Sequence, residues 1–203
     1  MRLPYTPNPP VPSSEADAGI ISRIAARRAP RPLQPLDLAL LHAPPVADGW
    51  NSFLGAIRER TSLDARVREI AICRVAVVNG AWYEWGHHAP LARQAGVGEA
   101  GMRVVGREVL VPEGEGEGEK VKKEALEAGL GEREWAVLRY ADEMTRAVKV
   151  SDEVFELVRG VFSEREVVEV TATVAAYNCV SRFLVALDVG EKNGTGPDDV
   201  SGH

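Results

Sequence analysis

Glu84 and His88 are the side chains of this sequence whose types and spacing best suit them to moving a proton. Glu84 and His88 stand four apart, so on a helix they share a face. A carboxylate beside an imidazole raises the proton affinity of the ring and fixes its tautomer, which is what a general acid/base requires. Both residues fall in the stretch NGAWYEWGHH, residues 79–88, where an Asn-Gly turn runs into Trp82, Tyr83, Trp85 and His87. Tyr83 and Trp85 could wall a cleft, Tyr83 with a hydroxyl to offer. His87, one residue off the shared face, reads either as a substrate contact or as a surface or interface residue. The bland alternatives stay open: Glu84 with His88 as a helix pair contributing a few tenths of a kcal/mol, and the tryptophans as core packing.

A metal is the rival chemistry. Glu84-Trp85-Gly86-His87 fits one Glu-x-x-His unit of a di-iron bundle, but that site needs a second copy and two further glutamates. His42 and His203 have no glutamate three residues before them. A single ion held by Glu69, Glu84 and His88 is the better of the two metal alternatives, yet still disfavoured. We therefore expect neither a metal nor an organic cofactor.

The elements that must position these residues read as helices. EADAGIISRIAARR, PLDLALLHAPP and VADGWNSFLGAIRER carry apolar residues at spacings of three and four, with proline or glycine at the breaks. In SLDARVREIAICRVAVVNG, Val67, Ile70, Ala71, Val75 and Val78 keep helical spacing, Ser62 or Asp64 can cap the start, and Asn79-Gly80 ends it. AWYEWGHHAPLARQAG resumes as helix to Gly96, and Pro90 is expected to kink or split it. If the two helices pack antiparallel, Glu69, about 15 Å before the turn, and His88, about 10 Å beyond it, can face one cleft. Further helices follow at GEREWAVLRYADEMTRAV, SDEVFELVRGVF and SEREVVEVTATVAAYNCVSRFLVALDV, the last rich in β-branched residues but too long for a strand. Strand signals are otherwise nearly absent, and the fold class is all-α.

Residues 1–14 hold five of the 13 prolines and read as an extended or loosely docked arm, one able to cross a neighbouring subunit. A single helical domain is expected over 15–190, interrupted by an acidic, glycine-rich loop at 113–119, with a flexible tail at 191–203.

From Glu69 through the run 79–88 the sequence resembles the carboxymuconolactone decarboxylase and alkylhydroperoxidase D-like family. The likeness extends over LLHAPPVADGWNSFLGAIRER, LDARVREIAICRVAVVNGAWYEWGHHAPLARQAGV and the segment from VLRYADEM to the end of the last helix. It implies a compact helical domain assembled as a homotrimer or homohexamer, with sites at or near subunit interfaces. In the peroxidase branch a helical glutamate is followed by a Cys-x-x-Cys pair and a histidine; counted from Glu69, those cysteines fall on Ala81 and Glu84, and the histidine on His88. Both sulfurs are missing, and Cys73, in the body of the preceding helix, cannot replace them, so thiol peroxidase chemistry is not expected. The decarboxylase branch implies a cofactor-independent lyase acting on a small cyclic carboxylic acid or lactone, with His88, Glu84 and Glu69 as its acid/base set and Arg182 as carboxylate anchor. A scaffold that binds ligands without catalysis is the alternative.

Composition bounds the partners. The chain has 203 residues, 45% of them hydrophobic, which suffices for one core. With 24 basic against 30 acidic residues and a net charge of −6, and without a clustered basic patch, nucleic acid and anionic membrane are poor partners. No apolar run of about 18 residues stands out, and the N-terminus lacks the apolar core of a secretory signal, so a cytoplasmic protein is expected. Cys73 and Cys179 both sit in apolar helical patterns and read as small hydrophobes.

Overall fold

The computed structural model describes residues 1–199; the last four residues of the expected tail lie outside them. The described residues form ten α-helices and no strand: α1 (Glu15–Arg28), α2 (Pro35–Leu40), α3 (Pro44–Glu59), α4 (Ala65–Val78), α5 (Trp82–Gln94), α6 (Glu99–Val105), α7 (Glu117–Glu127), α8 (Glu132–Ala147), α9 (Asp152–Val161) and α10 (Glu164–Leu187). The all-α reading holds.

α4 is the axis of the fold because its sequence is apolar nearly all round. Every residue from Glu69 to Val77 is buried, and α5, α8 and α10 pack around it. The chain leaves α4 through Asn79-Gly80, with Gly80 in the left-handed region at φ 61°, and returns along α5. Asn79 Nδ2 donates to Ser181 Oγ at 2.7 Å and to Asn178 Oδ1 at 3.2 Å, so α10 pins the turn. A second small core of Ile20, Ile24, Leu40, Leu41 and Ala47 fastens α1 and α2 onto α3.

Several expectations are corrected. α5 is not split at Pro90 but continues through it to Gln94, the missing N–H costing the bond to the Gly86 carbonyl. α6 and α7 are additional helices, and α7 takes residues 117–119 from the expected loop. It needs only Val121 and Ala125, one turn apart, to dock its single apolar edge. The N-terminal arm, read as extended or loosely docked, is held in place by hydrogen bonds: Arg2 N–H donates to the Leu187 carbonyl (2.8 Å), Thr6 Oγ1 to the Leu38 carbonyl (2.8 Å) and His42 Nε2 to the Pro4 carbonyl (2.7 Å). Cys73 is buried, but Cys179 is exposed on α10. α10 is also long and apolar enough to cross a membrane by length and composition, which no single run announced; in this fold it packs against α3, α4, α5, α8 and α9.

Candidate functional site

The α4–α5 hairpin brings Glu69 and His88 together, with His88 Nδ1 2.6 Å from Glu69 Oε2. Both are buried, at 3% and 6% exposure. Burial is the largest single influence on Glu69 and works against its charge, but the His88 hydrogen bond and the nearby charges, those of Arg68 and Arg58 among them, together outweigh it, and the carboxyl titrates below its ordinary value. Burial also pushes the His88 imidazole below its ordinary value, against the upward pull of Glu69. The expectation that a carboxylate would raise this histidine is thus corrected: desolvation of the cation wins. The resulting pair is an ionised Glu69 and a neutral His88. An ionised carboxylate only accepts, so the ring proton sits on Nδ1 and the Nε2 lone pair is left without a partner among the described residues.

Glu84 does not support the imidazole. Its carboxyl is 2% exposed, neither oxygen finds a hydrogen-bond donor, and burial raises its proton affinity well above the ordinary carboxylate range. A buried acid with no counter-charge stays protonated, because ionising it without a partner costs several kcal/mol. Sharing a helix face with His88 brought Glu84 to the same place without bonding the two.

Both residues line a cavity of about 100 Å³, walled by α5 on one side and by α1, α3 and α10 on the others. It holds several waters or one small ring-sized molecule. Tyr83 and His87 line it as well. His87 stands at the rim, its Nδ1 donating to the Tyr83 carbonyl at 2.8 Å and its ring 4.4 Å from the Tyr83 ring. The Tyr83 hydroxyl is pushed up to about 12 by burial; it lies near the Leu36 backbone without a well-formed hydrogen bond. Two expected contacts are absent. Trp85 is a core residue, its indole tip packed over Gly106. Arg182 is exposed on α10, away from the cavity lining, and donates to the Asn178 carbonyl and side chain.

The cations at the cavity come from elsewhere. Arg27, Arg28, Arg31 and Arg58 line it, in a chain of net charge −6. Arg28 is spent on Asp37, at 2.8 Å, and Asp37 also caps α2 by accepting from Gln34 N–H. Arg27 donates to Asn51. Arg58, half-buried in the last turn of α3, has no hydrogen-bonding or ion-pairing partner among the described residues, and its charge acts on Glu69, His88 and Tyr177. Sequence reading did not single out Arg58. The available signal was its spacing of four from the inward-facing Leu54.

Other chemistries find less support. Among the described residues no three His, Cys, Asp or Glu side chains are grouped to hold a metal ion, and Glu69, Glu84 and His88 form no such set. Burial raises the Cys73 thiol far above its ordinary value, which removes the thiolate a peroxidase needs.

Residues 44–114 match the model of the carboxymuconolactone decarboxylase family. No curated protein matches the chain. Among solved structures, the fold is similar to the alkylhydroperoxidase AhpD core of an uncharacterized peroxidase-related protein from Ralstonia eutropha JMP134, with 19% identity, TM-score 0.64, and coverage of 92% of this chain and 95% of that one. An uncharacterized peroxidase-related protein from Silicibacter sp. TM1040 is similar at 14% identity and TM-score 0.61, covering 95% of each chain. The debrominase Bmp8, solved as a cysteine-to-alanine variant in complex with 2,3,4-tribromopyrrole, is similar at 15% identity and TM-score 0.62, covering 93% of each. At these identities the likeness is one of fold.

Proposed function

We propose, from the match of residues 44–114 to the carboxymuconolactone decarboxylase family model and the likeness of the fold to an alkylhydroperoxidase AhpD core, that the chain is a cofactor-independent, decarboxylase-like enzyme acting on a small cyclic carboxylic acid or lactone. The observation that carries this reading is the cavity shared by the open Nε2 of His88 and the unpaired guanidinium of Arg58. One group takes and gives a proton; the other holds an anion.

The chemistry follows from electrostatics. When a carboxylate leaves as carbon dioxide, the electron pair of the broken C–C bond passes into the adjacent unsaturated system and one proton must reach carbon. Arg58 offers the carboxylate a charge-assisted hydrogen bond. An anion beside Nε2 favours the imidazolium, so His88 takes a proton from solvent as substrate binds and delivers it to the carbanion, returning to the neutral state. Glu69 keeps the ring oriented throughout and stabilises the cation. Glu84, protonated, adds no negative charge to repel the substrate.

Screening carboxylated five-membered lactones for released carbon dioxide tests the reading, with His88→Gln beside the wild type. The variant should lose about 10² to 10⁴ in turnover while keeping its helicity. A folded His88→Gln protein as active as the wild type contradicts the acid/base role. Binding without turnover of any such acid would leave a ligand-binding scaffold.

A further inference from the structure

Tyr177 is a buried hydrogen-bond donor that the fold leaves unused. It comes from α10, outside the family-matched segment, and is 2% exposed. Its ring stands edge-on to His88, centroids 5.0 Å apart at 83°. Its hydroxyl makes no hydrogen bond to the described residues. Unlike the hydroxyl of Tyr83 it is not sealed, and Tyr177 lines the cavity. A hydroxyl brought this far from bulk solvent without a protein partner forfeits a hydrogen bond unless something in the cavity accepts from it.

We infer that the Tyr177 hydroxyl is an oxyanion donor, placed to receive the carbonyl oxygen of a bound lactone or cyclic keto acid, one whose carbonyl is conjugated with or β to the departing carboxylate, as that oxygen gains charge. This rests on the proton-transfer reading above and adds a catalytic residue to it. As the C–C bond to the carboxylate breaks, its electron pair moves to the carbonyl oxygen, forming an enolate. Tyr177 O–H donates to that oxygen without transferring its proton, carbon dioxide departs, and the His88 imidazolium then protonates carbon. Burial keeps the phenol neutral and therefore a donor. Among the described residues the one ionised carboxylate beside this ring pair, Glu69, faces Nδ1 of His88, so the enolate meets the donor side of the cavity. A neutral donor of this kind stabilises the charge-developed state more than the ground-state carbonyl, which is the condition for a catalytic effect.

A binding experiment separates this role from packing and does not require the natural substrate. Tetronate, a stable enolate of a five-membered lactone, mimics the charge-developed state; cyclopentanecarboxylate matches its ring size and offers only a carboxylate. Calorimetry with wild type, Tyr177→Phe and Arg58→Gln should show tetronate binding more tightly to the wild type than cyclopentanecarboxylate does. Tyr177→Phe, whose ring can still pack against His88, should lose about tenfold to a hundredfold in tetronate affinity and change little for cyclopentanecarboxylate. Arg58→Gln should weaken both. Equal tetronate binding by Tyr177→Phe and wild type, parallel loss of both probes in Tyr177→Phe, or a wild type that does not prefer tetronate would each overturn the inference. If Tyr177→Phe loses tetronate selectively while Arg58→Gln binds both probes as well as wild type does, the oxyanion donor stands and the Arg58 anchor falls.

Discussion

Two carboxyl groups near one imidazole have opposite fates, and the difference lies in what each can bond. Glu69 receives the His88 ring proton and the nearby charges of Arg68 and Arg58, so it stays ionised although buried. Glu84 receives nothing and holds its proton. Glu84 therefore links stability to pH. Its proton affinity is higher folded than unfolded, so its contribution is complete below the unfolded value of about 4.5 and is lost as pH rises toward the folded value. Glu84→Gln, which cannot ionise, should escape that loss. Relative to wild type its stability should grow with pH above about 4.5, by up to about 1.4 kcal/mol per pH unit, until the folded-state titration is passed. Thermal melts of the two proteins from pH 4 to pH 8 measure this. Parallel curves would show that Glu84 finds a counter-charge.

At the scale of elements, the hairpin carrying the pair was readable and its surroundings were not. Glu69, the Asn79-Gly80 turn and His88 are local features whose helical spacing fixes where they meet. The cavity wall opposite α5 is built from α1, α3 and α10, and nothing local to Arg58 or Tyr177 says which face of a distant helix they will approach. Arg182, expected as the carboxylate anchor, turns outward instead. Even the C-terminal segment takes part: Gly190, at φ 77°, lies so close under the Tyr83 ring that a Cβ there would be 2.2 Å from it. Gly190→Ala should therefore displace Tyr83 and destabilise the fold by roughly 1–3 kcal/mol. A chemical denaturation midpoint equal to that of wild type would show that the ring gives way freely.

For the whole molecule, the exposed side of α10 presents Val168, Ala175, Cys179 and Ala186 at helical spacing, and Val46 and Phe53 of α3 are also open to solvent. Apolar surface of this kind is commonly covered in an assembly. We propose a homotrimer or homohexamer that buries part of it. Light scattering at micromolar concentration should give three or six times the 22.0 kDa chain mass. A monomer across that range would leave α10 uncovered and the cavity complete within one chain.

The state of the His88 ring decides whether the cavity can move a proton. Site-resolved ¹⁵N NMR of His88 as a function of pH observes it without a substrate, reading the tautomer and the titration together. In the free protein His88 should be neutral, protonated on Nδ1 with Nε2 bare, and should titrate below the ordinary histidine value of about 6.5. Added cyclopentanecarboxylate should raise that titration, because the anion held by Arg58 favours the imidazolium. A free His88 that titrates at or above 6.5, carries its proton on Nε2, or ignores the anion would contradict the account.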